Sequence, residues 1–260
     1  MTWLLVTGSD RSIRFAMKHI FISTLMLVCF SAAALAEVQT KTARVGTTIV
    51  HYKVVLPKGY DPAIAYPAVL AFGGGPQTMA TIDLTLERNW QNEAQERGYI
   101  VILPAAPDDI LFFQGGDKIF PEFIVMMLNN YKIKDSKFHA AGYSNGGTTA
   151  FQVAASYPQY FLSITAFPGY LLRDTATNLH HISKLCINLY VGELDSVFLE
   201  LMRKQTDHFR RLGLAVKFSI EKDQGHILST LGGSGSSRLF NNFDEAGQGC
   251  SGLRSHERGS

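Results

Sequence analysis

Residues 138–147 of the chain read FHAAGYSNGG, and this stretch decides the fold. Its first four residues, Phe138 to Ala141, form a short and almost entirely apolar run, which is typical of a strand buried on both faces of a sheet. Glycines then flank Ser144, and Gly147 opens an Ala-rich segment with helical periodicity up to Tyr157. The stretch therefore predicts a buried strand, a tight turn that carries a serine, and a helix.

The same alternation of strand and helix continues on both sides of this turn. Apolar runs typical of buried strands occupy residues 68–72, 99–103, 138–141, 162–166, 185–191 and 216–220, after an antiparallel pair predicted within 45–56. Helical periodicity covers residues 84–97, 119–130, 147–157 and 197–212. Such alternation is typical of an α/β fold, so we expect a mostly parallel sheet with helices on both faces. No linker or repeat divides residues 37–250, which we interpret as one domain.

Three candidate catalytic residues follow predicted strands, at the sheet edge where α/β proteins bind ligands. Ser144 lies in a Gly-x-Ser-x-Gly turn, which holds a serine hydroxyl above the sheet as a nucleophile. Asp195 follows the strand 185–191, and His226 follows the strand 216–220. A serine needs a base to take its proton, and the base needs an acid to orient it. We therefore predict Ser144 as the nucleophile, His226 as the base and Asp195 as the acid.

The identity of the acid leaves alternatives. Asp195 could instead cap the helix that begins near Val197, since aspartate is a preferred capping residue. Glu193 and Asp174 are weaker candidates for the partner of His226. The chain order of serine, aspartate and histidine favours Asp195.

A third turn, Gly73-Gly74-Gly75, follows the strand 68–72 and predicts an oxyanion hole. Glycines let backbone N–H groups approach a substrate oxygen, and the residue after the nucleophile, Asn145, would supply a second donor. The sequence leaves open whether Gly74 or Gly75 is the donor from this loop. A phosphate-binding loop is disfavoured because no Gly-Lys-Ser/Thr follows, and the dinucleotide-binding spacing does not fit either.

Together these motifs resemble those of serine hydrolases with the α/β-hydrolase fold, in particular exported esterases similar to polyhydroxybutyrate depolymerases, feruloyl esterases and the phospholipase/carboxylesterase group. The resemblance covers about residues 45–245 and rests on Gly142-Tyr143-Ser144-Asn145-Gly146-Gly147, Gly192-Glu193-Leu194-Asp195, Gly225-His226 and the loop of three glycines. It implies a carboxylic ester hydrolase in which Ser144 is acylated and no cofactor takes part. In one departure, Phe72 precedes the glycine loop where many relatives have histidine.

The resemblance also bears on the substrate. The connection from Phe167 to Leu185, where relatives insert a lid, is too short for a cap domain, so we expect an open site. Phe112, Phe113 and Tyr143 are predicted to line a pocket for small or polymeric esters, with ordinary core packing as the alternative. Two other functions stay open. A serine peptidase or amidase would share the three catalytic residues, and a non-catalytic binding protein would share the fold.

The first 36 residues predict a targeting signal outside the fold. Basic residues precede an uncharged run from Ile20 to Ala36 that ends in small residues, which is the layout of a secretory signal. A membrane anchor or a buried segment are the alternatives, and the signal could begin at Met17. We expect cleavage before Glu37, a secreted or periplasmic protein without a stable membrane span, and a disordered tail at residues 251–260.

Composition narrows the range of partners. The chain of 260 residues carries a formal charge of +2, and this excess lies in the predicted signal, so the remainder is formally neutral. Lys and Arg are spread singly, which disfavours nucleic-acid binding. No group of His, Cys and carboxylates has metal-ligand spacing, so no metal is expected. Export would permit Cys186 and Cys250 to form a disulfide, but their predicted positions leave the pairing open.

Overall fold

The computed structural model describes residues 37–250. The predicted secretory signal at residues 1–36 and the predicted tail at 251–260 lie outside the described residues. Across residues 37–250, no helix combines the length and the apolar character needed to cross a membrane.

An eight-stranded sheet forms the centre of the described chain. Its strands are β1 Val38–Val45, β2 Thr48–Val55, β3 Tyr66–Phe72, β4 Ile100–Pro104, β5 Ile133–Gly142, β6 Phe161–Ala166, β7 Cys186–Gly192 and β8 Val216–Glu221. They are ordered β1-β2-β4-β3-β5-β6-β7-β8. The pairs β1–β2 and β2–β4 are antiparallel, and all neighbours from β4 to β8 are parallel. The predicted mostly parallel sheet is confirmed.

Helices cover both faces of the sheet. They are α1 Met79–Thr85, α2 Gln91–Arg97, α3 Phe120–Asn130, α4 Asn145–Ser156, α5 Ala176–Ile182, α6 Ser196–Arg211 and α7 Ser237–Gly247. Successive strand residues point to opposite faces, so Leu70 packs in one apolar cluster and Val69 in the other. The first cluster lies against α3 to α6, and the second lies against α1, α2 and α7. Because both faces are buried, the inner strands are continuously apolar.

The helix predicted at residues 84–97 differs from the structure. It begins earlier, at Met79, because the Thr78 side chain caps the segment by accepting a hydrogen bond from the Thr81 N–H. A π-helical turn, Leu86–Trp90, then separates α1 from α2. The prediction also assigned no helix to α5 or α7. Their amphipathic patterns are short, and α5 is only seven residues long.

A disulfide joins Cys186, the first residue of β7, to Cys250, with 5.4 Å between the two Cα atoms. This Cα separation is ordinary for a disulfide. The bond closes a long loop, since 64 positions separate the two cysteines in sequence. Cys186 and Cys250 thus form the disulfide that the sequence left open.

Replacing both cysteines by serine should lower the free energy of unfolding by about 2–4 kcal/mol, because the unfolded chain regains the freedom that the closed loop removes. Urea unfolding of the oxidised protein and of the double variant would measure the difference. The unmodified protein unfolded under reducing conditions should match the variant. Equal midpoints for the oxidised protein and the variant would contradict the contribution of this bond.

Candidate active site

Ser144 occupies a strained turn between β5 and α4. Its backbone angles are φ 55° and ψ −118°, a region that residues with a side chain rarely adopt. The turn also brings backbone segments into close contact: a Cβ on Gly146 would lie 2.2 Å from the Phe72 carbonyl oxygen, and one on Gly142 would lie 2.3 Å from Gly146. Glycine is therefore required on both sides of the serine. The turn presents Ser144 at the carboxyl edge of the sheet, at the start of α4.

The structure brings Ser144, His226 and Asp195 into one hydrogen-bonded chain. The His226 Nε2 atom lies 2.8 Å from the Ser144 hydroxyl, and its Nδ1 atom lies 2.6 Å from a carboxylate oxygen of Asp195. An ionised carboxylate only accepts hydrogen bonds, so Nδ1–H of a neutral imidazole donates to Asp195 and Nε2 accepts from the serine hydroxyl. In this arrangement the imidazole can take the proton of Ser144.

The three candidate carboxylates, Asp195, Glu193 and Asp174, have different contacts. Asp195 does stand at the N-cap position of α6, but its side chain makes no capping hydrogen bond. The carboxylate of Glu193 accepts a hydrogen bond from the Asp223 N–H at 3.1 Å, and Asp174 is exposed. Asp195 is the carboxylate on the imidazole, and its side chain is only 11% exposed.

Close backbone contact between the loops after β7 and β8 brings Asp195 and His226 together. A Cβ on Gly192 would lie 2.1 Å from the Gly225 carbonyl oxygen, so these two chain segments touch. The Leu194 N–H donates to the Gln224 carbonyl at 2.8 Å. Glycine is thus required at position 192 for the approach of the two loops, whereas a Cβ on Gly225 would meet no atom within 4 Å.

Glu221 anchors the loop that carries His226. Its carboxylate accepts two hydrogen bonds from Arg238, at 2.7 and 2.8 Å, and one from the Thr230 hydroxyl at 2.7 Å. The Arg238 guanidinium holds the pKa of this carboxyl below its ordinary value, although burial acts in the opposite direction. Since Glu221 precedes the loop and Thr230 follows it, the carboxylate ties both ends of the loop together.

The predicted oxyanion loop lies beside Ser144. The Asn145 side-chain amide donates to the Gly75 carbonyl at 2.9 Å, which links this loop to the start of α4. Among the hydrogen bonds of residues 37–250, none uses the backbone N–H of Gly74, Gly75 or Asn145. These three N–H groups thus have no other acceptor among the described residues, and the choice between the two glycines stays open.

Gln77 holds this loop in place, and sequence reasoning missed it. Its side chain is fully buried; the amide nitrogen donates to the Thr149 hydroxyl at 2.9 Å and to the Gly73 carbonyl at 3.3 Å. Its amide oxygen accepts from the Phe112 N–H at 3.0 Å. A polar residue after Gly-Pro is typical of any exposed turn, so the sequence contained no signal for this role.

A cavity of about 370 Å³ opens beside Ser144 and His226. Its lining includes both oxyanion-loop glycines, the predicted substrate residue Tyr143, and Ile227 and Leu228 next to His226. A further group of lining residues comes from α1 and the π-helical turn: Thr81, Leu84, Thr85, Arg88 and Asn89. Sequence reasoning missed this group because the predicted helix began only at residue 84, and because the π-helical turn that contains Arg88 and Asn89 has no pattern in the sequence.

Two of the predicted substrate contacts are corrected. Phe112 is fully buried and packs its ring against Phe72 and Phe120, at centroid distances of 5.9 and 4.9 Å. It belongs to the core, because the turn at residues 112–114 points it inward. Phe113 is partly exposed and does not line the cavity beside Ser144.

A larger cavity, of about 710 Å³, lies at the amino ends of the parallel strands, where Phe161 and Leu185 contribute to its lining. None of the three residues of the hydrogen-bonded chain reaches it. Ser144 and His226 instead line the smaller cavity.

Comparison with known proteins gives likeness in structure but not in sequence. No family model and no curated protein matches the chain. A protein named as a dipeptidyl aminopeptidase IV from Bacteroides ovatus superposes with a TM-score of 0.63 at 15% identity, over 81% of this chain and 36% of its own. The chain thus spans about a third of that protein.

Two esterase-type structures match over most of their own length. A ferulic acid esterase from Anaeromyces mucronatus, in complex with ferulic acid, has a TM-score of 0.61 at 18% identity, over 80% of this chain and 89% of its own. An S-formylglutathione hydrolase from Agrobacterium tumefaciens has a TM-score of 0.58 at 17% identity, over 80% and 94%. At these identities the likeness concerns the fold. The chain has the α/β-hydrolase fold, as the resemblance in sequence implied.

Replacing Gln77 by leucine should lower the free energy of unfolding by about 1–3 kcal/mol, because the buried Phe112 N–H loses its acceptor and the Thr149 hydroxyl, which still donates to the Asn145 carbonyl, loses a donor. Chemical unfolding would measure this loss. The matched control is Gln159→Leu, at an exposed position, and it should leave stability nearly unchanged. An equal effect of the two substitutions would contradict the role assigned to Gln77.

Replacing Glu221 by glutamine should cost about 1–2 kcal/mol at neutral pH, since a charge-assisted bond to a partly exposed arginine is lost. A lowered pKa means that the carboxylate stabilises the fold above about pH 4.5, and that this contribution disappears as the pH falls through the folded-state pKa. The difference between the two proteins should therefore shrink in acid. Unfolding at several pH values would test this, with Glu122→Gln as control, at an exposed position of α3.

Proposed function

We propose that this protein is a serine hydrolase that cleaves carboxylic esters through an acyl-enzyme on Ser144. The proposal rests on one observation, the hydrogen-bonded chain from Ser144 through His226 to Asp195, with its serine at the wall of a cavity. A nucleophile, a base and an orienting acid in this order are the minimal apparatus of covalent acyl transfer.

In the first half of the proposed reaction, the Ser144 oxygen attacks the ester carbonyl carbon while its proton passes to His226 Nε2. The carbonyl π-electron pair moves onto the oxygen, where N–H groups of Asn145 and of Gly74 or Gly75 stabilise it. Collapse of this intermediate restores the carbonyl and breaks the bond to the alcohol oxygen. That oxygen leaves with the proton from His226, and the acyl group remains on Ser144.

In the second half, water takes the place of the alcohol. His226 accepts a proton from the water as its oxygen attacks the acyl carbon, and the same N–H groups bind the oxyanion. Collapse releases the carboxylic acid and returns the proton to Ser144. Asp195 keeps the imidazole in the tautomer that both halves require and stabilises its transient positive charge.

The cavity favours an ester over a peptide with a free amino terminus. A carboxylate forms the strongest hydrogen bonds to an ammonium group, and no Asp or Glu lines the cavity in the described part of the chain. Leu84 and Ile227 line it with exposed apolar side chains, 70% and 55% accessible, which suit the carbon chain of an ester. Esterases are also among the structures of similar fold, although the Bacteroides ovatus protein is named as an aminopeptidase.

We also propose that the protein works outside the cytoplasm, secreted or in the periplasm. The sequence of residues 1–36 has the layout of a secretory signal. The Cys186–Cys250 disulfide supports the same location, because such bonds persist mainly in oxidising compartments.

Purified protein should hydrolyse p-nitrophenyl acetate and butyrate, and Ser144→Ala should lower kcat by about a thousandfold or more. Asp195→Asn should lower kcat by a comparable factor, because the imidazole loses the partner that fixes its tautomer. Ser156→Ala, at the exposed end of α4, and Asp174→Asn are matched controls that should retain activity. Turnover that survives Ser144→Ala would refute the acyl-enzyme mechanism.

The two alternative functions give different results with the same protein. A peptidase would release p-nitroaniline from dipeptide anilides as well as cleave the esters, and would lose both activities in Ser144→Ala, whereas the proposed ester hydrolase would leave the anilides intact. A binding protein would turn over neither substrate.

A further inference from the structure

Arg88 introduces a positive charge into the cavity beside Ser144. It is the one lysine or arginine among the lining residues described, and it is partly buried. Within residues 37–250, no carboxylate lies within 4.0 Å of its guanidinium. A partly buried guanidinium without a carboxylate partner retains hydrogen-bond donors for a ligand.

The backbone fixes where this charge lies. Arg88 and Asn89 belong to the π-helical turn, and π-turns of this kind occur frequently at functional sites. The Asn89 amide donates to the Leu231 carbonyl at 2.8 Å, and Trp90 is buried, so the residues next to Arg88 are held in place. The Arg88 side chain also packs on Gly232, where an added Cβ would lie 3.1 Å from its Cγ and Nε atoms.

The charge of Arg88 reaches the residue next to the nucleophile. Burial raises the pKa of the Tyr143 phenol, and the positive charge of Arg88 acts in the opposite direction. Tyr143 and Ser144 line the same cavity as Arg88. Arg88 therefore shares one cavity with the nucleophile and with the residue that precedes it.

We propose that Arg88 binds a free carboxylate carried by the ester substrate, so that the preferred substrates are esters with a second, anionic group. This inference rests on the proposed ester hydrolysis. A guanidinium fork matches a carboxylate with two parallel hydrogen bonds, which gives orientation as well as attraction. A cavity of about 370 Å³ suits a small organic molecule. The apolar side chains of Leu84 and Ile227 would contact the carbon chain between the two groups.

Matched ester pairs test the preference. The p-nitrophenyl monoester of adipic acid carries a terminal carboxylate where p-nitrophenyl hexanoate carries a methyl group. We expect kcat/KM to favour the adipate by about 10- to 100-fold, the range for a hydrogen-bonded charge pair. A second pair places the charge on the alcohol, with para-carboxyphenyl butyrate against para-carbamoylphenyl butyrate. The pair with the larger preference identifies which side of the ester faces Arg88.

Variants connect the preference to Arg88. Arg88→Gln should lower the ratio of charged to neutral kcat/KM to near one, and Arg88→Lys should recover part of it, because the charge remains but the fork is lost. The control is Arg211→Gln, at the exposed end of α6, which should keep the ratio of the unmodified protein. In the unmodified protein the preference should also fall with added salt. No preference in either pair, or an equal ratio in Arg88→Gln, would overturn the proposal.

A binding measurement separates this inference from the proposed function. Calorimetry on the Ser144→Ala variant, with monomethyl adipate against methyl hexanoate, does not depend on turnover. Tighter binding of the charged ester that is lost in Ser144→Ala/Arg88→Gln would support the carboxylate site even if no ester were hydrolysed. Hydrolysis of neutral esters, with equal binding of both ligands and no kinetic preference in the alcohol-side pair, would refute the carboxylate site and leave the ester hydrolase standing.

Discussion

The contact between the Ser144 turn and the end of β3 is the constraint on which the site depends. The Gly146 backbone lies so close to the Phe72 carbonyl that no side chain fits at position 146. Helix α4 therefore begins directly beside the glycine loop. This contact places Asn145, the first residue of α4, beside the glycine loop, where its side chain donates to the Gly75 carbonyl. The strained φ of 55° at Ser144 is tolerated because packed backbone surrounds it. Strain at the serine and the geometry of the proposed oxyanion hole thus have one cause.

Asp195 and His226 lie in loops, whereas Ser144 lies in the turn between β5 and α4. The parallel neighbours β7 and β8 end at the same edge of the sheet, so the loops that follow them lie side by side. The absence of a side chain at Gly192 lets the backbones of these two loops come into contact. The position of His226 then depends on a loop between two fixed points, Glu221 and Thr230, which one carboxylate joins. Each catalytic candidate is therefore held by backbone contacts and by polar groups outside the reacting chain.

The sequence predicted the parts that depend on local chemistry. Continuous apolar runs identified the inner strands, and the glycines around Ser144 identified the turn, because both patterns follow directly from burial and from backbone sterics. Phe112 was assigned to the site because an aromatic residue in a loop suits a pocket or a core equally well, and only tertiary packing places it against Phe72. Gln77 and Arg88 were missed for a related reason. Their roles depend on contacts with residues distant in the sequence and on a π-helical turn, and no periodicity encodes either.

The wall that carries Arg88 is continuous with the hydrophobic core. Trp90, two residues further along the π-helical turn, packs its ring on Phe167, and Phe167 itself lines the cavity beside Ser144. Trp90 also packs against Phe240 and Phe243 of α7, so the cavity wall cannot shift without disturbing the core on that face of the sheet. The connection between β6 and β7 contributes only the short helix α5, with no cap domain over the site. In the proposed carboxylate site, selection would then rest on a wall that is ordered before the substrate binds, because side chains packed in the core do not have to be ordered on binding.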